Sequence, residues 1–151
     1  MKIRSILLWL LVIIWMIVIF SFSSNVAEES NSKSKKIAHT VVDIVEKEKN
    51  KKEKDIIVEK ANKPIRKIAH GFEYCILGIL LFLALSTHNI SNKKKYIITL
   101  IICIIYASTD EIHQLYINGR YGDYKDVLVD TLGSSIGLLF CCFGNRCLKK
   151  N

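Results

Sequence analysis

The chain has 151 residues, of which half are hydrophobic, and it carries a formal net charge of +8. Excess positive charge is typical of nucleic-acid-binding proteins, but here the basic residues stand beside long apolar runs, where lysine and arginine set membrane topology. The apolar residues are gathered into four blocks, unlike those of a soluble core. Composition and charge therefore indicate an integral membrane protein and argue against nucleic acid as a partner.

The four apolar blocks predict four transmembrane helices, because a helix needs about 20 predominantly apolar residues to cross a bilayer. We place these helices at about residues 5–22, 68–85, 96–112 and 127–143. The third block is apolar only over 96–106, or ~17 Å of helix, so it must take the following polar stretch STDEIHQ into or near the membrane. The sequence thus predicts an all-α helical bundle that forms one membrane domain over residues 1–151.

Basic residues next to the blocks predict the orientation of the bundle. Three clusters flank the blocks: Lys2 and Arg4, Lys93 to Lys95, and Arg146, Lys149 and Lys150. Because short cytoplasmic loops are rich in lysine and arginine, we expect both termini in the cytoplasm. The first block could instead be a cleaved signal peptide, but its apolar run exceeds the usual length of about 7–15 residues. Asn25 also makes SNVA a poor cleavage site, so we expect a retained anchor.

The segment between the first two spans, residues 23–63, is charged and is predicted to lie outside the cell. Its start, SNVAEESNSKSKK, predicts irregular structure. Four apolar residues at helical spacing then predict an amphipathic helix on the membrane surface or over the spans: Ile37, Val41, Ile44 and Val45. The alternating lysine and glutamate that follow are typical of a solvated helix or linker. Pro64 fits the first turn of a new helix that runs to Leu85.

Three polar clusters lie at the predicted outer ends of the last three spans. In chain order they are Arg66, His70 and Glu73; Asp110, Glu111, His113 and Gln114; and Arg120, Asp123, Asp126 and Asp130. Spacings of three and four residues put most members of each cluster on one helical face. Gly133 and Gly137 form a GxxxG on the Asp130 stripe, which lets a neighbouring helix approach closely. We therefore expect the clusters to meet in one outward-facing polar site.

Ionisable side chains within a membrane span need a favourable interaction that offsets their cost of insertion. A charged side chain at the centre of a spanning helix costs about 2.5–3.5 kcal/mol to insert. His70, Glu73 and Asp130 lie within apolar blocks, so we expect them to pair, face water or bind a ligand. The same residues could instead serve only to fix helix packing.

Acid–base chemistry on an anionic substrate is one function that such a site could have. The predicted anion-binding residues are Arg66 and Arg120, because guanidinium groups suit phosphate and carboxylate. A histidine would act as acid or base, oriented by a carboxylate; the candidates are His70, Glu73, Asp110, Glu111 and His113. The supporting residues would be Gln114, Asp126 and Asp130. A lipid-linked cell-wall precursor would be a natural substrate at this depth.

A metal site and a non-catalytic site are the alternatives. His70, Glu73 and His113 could hold a metal, as Glu and His pairs do inside helix bundles, but two arginines nearby disfavour a cation. The five cysteines show no CxxC spacing, which argues against zinc, and we predict no metal and no cofactor. The cluster could also bind a ligand without turnover or pass protons, as in transporters.

Three motifs resemble the VanZ family of bacterial membrane proteins. They are RKIAHGFEY (66–74), DEIHQLYINGR (110–120) and DVLVDTLG (126–133), and the serine-rich FSFSSNVAEESNSKS (20–34) is similar to the family's exit from its first span. Together they touch all four spans. The resemblance implies a multi-pass protein of the bacterial cell membrane that lowers susceptibility to the glycopeptide teicoplanin without remodelling the peptidoglycan terminus, and it implies no particular reaction. We expect membrane lipids as partners, together with a lipid-linked cell-wall precursor or a glycopeptide.

Overall fold

The computed structural model describes residues 2–24, 27–46, 50–118 and 122–148, and these residues form five α-helices. The helices are α1 (Lys2–Ser23), α2 (Ala27–Val45), α3 (Lys51–Leu85), α4 (Asn92–Gln114) and α5 (Tyr124–Leu148). The predicted all-α class is confirmed. The division of the whole chain into one membrane domain stays a prediction.

Four stretches within these helices are long and apolar enough to cross a membrane: Ile3–Ser23, Pro64–Leu85, Asn92–Gln114 and Tyr124–Phe143. The four predicted spans are confirmed, and each is longer than the sequence predicted. The third span changes most, since α4 continues through the whole of STDEIHQ and ends at Gln114. Its polar end is thus part of the spanning helix, as the short apolar block required.

Large apolar side chains cover the outside of the bundle. Only 11% of the most apolar window of α1 is buried within the protein, and Ile3, Ile13 and Ile17 are all more than half exposed. Lipid tails are as apolar as these side chains, so a bilayer removes the hydrophobic penalty that water would impose. The exposed apolar surface therefore fits a multi-pass membrane protein whose helices face lipid.

The tightest helix contact joins α3 to α5, and glycines make it possible. A Cβ atom at Gly133 would overlap the carbonyl oxygen of Gly71, and one at Gly137 would overlap that of Cys75. Gly78 of α3 is also close to the backbone of Ser134, whose carbonyl oxygen would lie 2.8 Å from a Cβ atom placed there. The GxxxG on α5 thus does let a neighbouring helix approach, and that helix is α3.

The charged segment before the second span is a helical hairpin. The prediction of irregular structure for SNVAEESNSKSKK is wrong from Ala27 onward, because α2 begins there. Ala38 and Val42 of α2 bury themselves against Val58 of α3, and ion pairs join Lys35 to Glu59 and Lys54 to Asp43 at 2.7 and 3.0 Å. A polar sequence becomes helical here because tertiary packing supplies the stability that local propensity lacks.

The stripe of α2 that packs against α3 differs from the predicted apolar stripe, whose place on the membrane surface or over the spans stays a prediction. Ala38 and Val42 are buried, whereas the four predicted apolar residues are about half exposed or more: Ile37, Val41, Ile44 and Val45. The hairpin uses the stripe with alanine because a small side chain lets two helix backbones approach. α2 therefore packs against the part of α3 that precedes the span, and its larger apolar residues stay on the outside.

The prediction that Pro64 starts a new helix is also wrong. α3 begins at a capping box, in which the Asn50 side chain accepts from the Glu53 N–H at 3.0 Å, and it continues through Pro64 to Leu85. An interior proline removes one backbone hydrogen bond and costs about 3 kcal/mol. Packing against α2 on both sides of the proline, at Val58 and Ile65, holds the two parts of α3 in one helix.

Replacing Gly133 with alanine should weaken the α3–α5 contact, because the added methyl group has no space beside the Gly71 carbonyl. Overpacking of this kind costs about 1–3 kcal/mol, which an unfolding titration in mixed micelles would measure. Gly71→Ala is the matched control, since its methyl group would meet Val129 no closer than 3.4 Å, an ordinary contact. Equal stability of the two variants would contradict a glycine-mediated approach.

Candidate functional site

The first part of the candidate site joins the end of α1 to the end of α4. Nε2 of Gln114 donates to Oγ of Ser23 at 2.9 Å and to Oδ2 of Asp110 at 3.3 Å. All three residues are buried. Asp110 and Gln114 lie four residues apart, so the helical face predicted for them is the one that meets α1. Ser23 was not predicted as a site residue, although its place in a serine-rich span exit was a signal.

His113 contacts α1 as well. Its Nε2 atom lies 3.1 Å from Oγ of Ser24, and its ring stacks on Phe20 with ring centroids 4.4 Å apart. The structure therefore places this histidine at the α1–α4 contact, beside the acids rather than among them.

α3 contributes His70 and Glu73, which are one turn apart. Nδ1 of His70 lies 3.3 Å from Oε2 of Glu73, and the two side chains are only 13% and 15% exposed. The charges of Asp110 and Asp130 also act on His70. Acids of α3, α4 and α5 therefore all act on His70. The Glu73 carbonyl accepts a hydrogen bond from Nε1 of Trp15 at 2.9 Å, which ties α1 to this turn of α3.

Two carboxyl groups lie deepest in the site. Asp110 and Asp130 are only 3% and 1% exposed, and the Oδ1 atom of each has no hydrogen-bond partner in the part of the chain that the structure describes. The hydroxyl of Tyr74, a fully buried residue, is also unpaired there. Electrostatic interactions connect Asp130 to His70, Asp110 and Glu111. That the three polar clusters form one site stays a prediction.

Lys67 is a site residue that the sequence analysis missed. Its ammonium group pairs with the carboxylate of Asp126 and lies 3.8 Å from that of Asp123. Arg66 was predicted instead because Arg66, His70 and Glu73 share a face. Lys67, Gly71 and Tyr74 have the same spacing, and this second stripe is the one that faces α5. Two glycines on it, Gly71 and Gly78, were the available signal.

No contact of the described residues supports the predicted anion-binding pair, Arg66 and Arg120. Arg66 is half-buried, and across residues 2–24, 27–46, 50–118 and 122–148 it forms no ion pair. Arg120, the second predicted anion-binding residue, lies outside the described residues. The anion-binding role of both arginines stays a prediction.

Glu111 has a positioning contact. Its Oε2 atom accepts the backbone N–H of Asp123 at 2.8 Å, which fixes the chain just before α5 begins. The Asp123 side chain in turn accepts the backbone N–H of Lys125 at 3.0 Å. Gly122 passes close to the Glu111 carbonyl, where a Cβ atom would come within 2.9 Å. These contacts hold the acids of α4 and α5 at one end of the bundle.

Among the described residues of the arrangement, carboxylates outnumber cations. Acids of three helices act on one imidazole, and Lys67 is already paired with Asp126. A histidine among carboxylates can hold or move a proton, and unpaired carboxylate oxygens can accept hydrogen bonds from a ligand. No three His, Cys, Asp or Glu side chains of the described residues are placed to hold a metal ion.

Comparison with known proteins gives the family of the chain. The VanZ/LLP1 family matches residues 8–145, which is most of the 151 residues. The chain belongs to the VanZ/LLP1 family. Neither the curated proteins nor the solved structures contain a match to it.

The VanZ/LLP1 match confirms the resemblance that the sequence motifs indicated. Its range runs from the first span to the end of the fourth, so it includes the hairpin and every described residue of the candidate site. The chain is thus a VanZ/LLP1 multi-pass membrane protein.

Lys67→Gln should destabilise this VanZ/LLP1 protein, because it leaves the Asp126 carboxylate without its cation. The Lys67 side chain is 33% exposed and that of Asp126 is 15% exposed, so we expect a loss of about 1–3 kcal/mol in the free energy of unfolding. The double variant Lys67→Gln, Asp126→Asn should recover most of that loss, since the uncompensated charge is removed as well.

Lys54→Gln is the control for this cycle. Its partner Asp43 is 60% exposed, and surface pairs contribute only about 0–1 kcal/mol. The same mixed-micelle titration measures both pairs. If Lys67→Gln were as stable as Lys54→Gln, the Lys67–Asp126 pair would contribute no more to the free energy of unfolding than the surface pair does.

Proposed function

We propose that this VanZ/LLP1 protein acts in the bacterial cell membrane by binding a membrane-borne ligand in its acid–histidine cluster, and that this binding lowers susceptibility to teicoplanin. The observation that carries the proposal is the pair of buried carboxyl groups, Asp110 and Asp130, beside His70 within spanning helices. The expectation about teicoplanin comes from the family resemblance. We also propose that the cluster faces outward, with both termini in the cytoplasm.

A role in helix packing alone explains the cluster less well than ligand binding does. Buried polar groups that serve packing are normally fully hydrogen-bonded, because each unpaired one costs free energy. Asp110 and Asp130 each have an unpaired oxygen among the described contacts. The α3–α5 contact is also already closed by glycines, so packing does not require the acids.

Acid–base catalysis on a lipid-linked substrate is the second candidate function. It is favoured by the His70–Glu73 pair, in which a carboxylate 3.3 Å from Nδ1 would orient the imidazole and stabilise its charged form. Nε2 of the ring would then be the atom that exchanges a proton with the substrate. No serine or threonine of the site is placed beside His70 as a nucleophile by the described hydrogen bonds.

The cellular role is tested by deleting and overexpressing the gene and measuring teicoplanin susceptibility. We expect deletion to raise susceptibility severalfold, because none of the ligand would be bound by this protein. We expect overexpression to lower susceptibility, because more of the ligand would be bound. Vancomycin and a β-lactam serve as comparison antibiotics. An unchanged teicoplanin response in both strains would remove the proposed role.

Substitutions separate binding from catalysis. His70→Gln and Glu73→Gln keep the size of each side chain and remove its ability to exchange protons, so a catalytic site should lose the phenotype at unchanged protein abundance. A binding site should retain much of it, whereas Asp130→Asn should abolish it. His113→Gln is the comparison at the α1–α4 contact, and Asp43→Asn in the hairpin is the control expected to behave as wild type. Wild-type behaviour of Asp130→Asn would rule out ligand binding by this cluster, and wild-type behaviour of His70→Gln and Glu73→Gln would rule out catalysis.

The orientation is tested by cysteine labelling in a variant without the native cysteines. Ser32, in α2, and Asn89, between α3 and α4, are both exposed. Ser32 follows the first span at its predicted outer end, and Asn89 follows the second span at its predicted inner end. We expect an impermeant maleimide to label Ser32→Cys in intact cells and Asn89→Cys only after permeabilisation. The reverse pattern would place the cluster on the cytoplasmic side.

A further inference from the structure

The buried end of the cluster has more hydrogen-bond acceptors than donors. Oδ1 of Asp110 and Oδ1 of Asp130 both lack a hydrogen-bond partner among the described residues. Both residues are nevertheless almost fully buried, since they are only 3% and 1% exposed. Ionised carboxylates accept hydrogen bonds and donate none. A buried carboxylate without a partner is costly, so these oxygens indicate a donor that the described chain does not supply.

Two of the nearby donors are already committed, and the Tyr74 hydroxyl is unpaired. The amide of Gln114 donates to Ser23 and to the other oxygen of Asp110. The ammonium group of Lys67 pairs with Asp126. Nδ1 of His70 lies 3.3 Å from Oε2 of Glu73, and that oxygen has no hydrogen-bond partner among the described residues. The cluster therefore keeps acceptors for a ligand rather than closing on itself.

We propose that this cluster binds a primary ammonium group, with Asp110 and Asp130 as its carboxylate partners and the Tyr74 hydroxyl as a third contact. The inference rests on the proposed function, whose ligand class it names. An ammonium group has one positive charge and three N–H donors, which fits two carboxylate oxygens and one hydroxyl. The amine belongs either to a lipid headgroup or to a soluble molecule.

Charge argues against the anion that the sequence predicted here. A phosphate between Asp110 and Asp130 would bring like charges together in a medium of low dielectric constant, where repulsion is strong. Glu73 and Glu111 are two further acids that interact with His70, and they would also repel a phosphate. A metal cation has the right sign, but the described residues offer no set of three ligands with suitable placement.

Lipid composition tests the proposal on the wild-type protein. The full chain is reconstituted in nanodiscs of phosphatidylcholine alone, or with part of it replaced by phosphatidylethanolamine, which differs in having a primary ammonium group. A parallel series adds ethanolamine, trimethylammonium ethanol or inorganic phosphate to the phosphatidylcholine discs. The readouts are the thermal unfolding midpoint, which rises with any ligand that binds the folded state, and the emission of Trp15.

Trp15 is a suitable reporter because its indole N–H bonds to the Glu73 carbonyl, one helical turn from His70. The chain has two tryptophans, so Trp9→Phe leaves Trp15 as the only emitter. We expect phosphatidylethanolamine or ethanolamine to raise the midpoint and shift the Trp15 emission, and the quaternary amine and phosphate to do neither. A response to the lipid alone identifies a headgroup as the source, and a response to ethanolamine identifies a soluble amine.

Variants locate the binding site. Asp130→Asn and Asp110→Asn should each weaken binding of the primary amine by at least about 20-fold, because each removes one partner of a buried charge pair. Asp43→Asn in the hairpin should bind as wild type. The wild-type comparison does not depend on whether these variants fold. Equal responses to primary and quaternary amines, a response to phosphate only, or no response to any of them would overturn the proposal.

The two proposals fail separately. Amine binding without any change in teicoplanin susceptibility on deletion would leave the ligand class standing and remove the cellular role. A susceptibility change that persists in Asp130→Asn cells, together with amine binding lost in that variant, would separate the amine site from the phenotype.

Discussion

The close approach of α3 and α5 is the contact on which the rest of the structure depends. α3 contacts α5 more extensively than any other described helix, because glycines remove the side chains that would keep the two backbones apart. His70 immediately precedes Gly71, and Asp130 lies one turn before Gly133. The same crossing therefore brings the imidazole and the carboxyl group together. With a wider crossing, Asp130 would face hydrocarbon, where its charge could not be compensated.

Polar pairing in the cluster changes with depth. Towards the end of the bundle the acids are satisfied, since Asp126 pairs with Lys67 and Glu111 accepts a backbone N–H. Further inside, Asp110 and Asp130 keep an unpaired oxygen each. Networks that only stabilise a fold are paired throughout, because the cost of an unpaired group rises as the surroundings become less polar. Complete pairing at the end and incomplete pairing inside is the pattern expected of a binding site.

The hairpin extends the site-bearing helix beyond the predicted membrane span. α3 is continuous from Lys51 to Leu85, so the residues that pack on α2 and the turn that carries His70 belong to one rigid element. Contacts on both sides of Pro64 make this possible, because they compensate for the hydrogen bond that proline cannot form.

The sequence alone determined the fold class, the four spans and the polar residues near one end of them. Hydrophobicity and helical spacing are local properties, and they decide directly which segments enter a bilayer. It also predicted that α4 must include its polar end, since block length is a local property too. Other features were decided only by tertiary contacts. Pro64 lies inside a helix, and α2 buries Ala38 and Val42 rather than its larger apolar residues, because the partner surface on α3 determines which stripe is covered. Lys67 rather than Arg66 pairs with α5, and Asp110, Asp130 and Glu73 each keep an unpaired oxygen among the described residues. Partner and depth depend on how three helices cross, which the spacing within one helix does not specify.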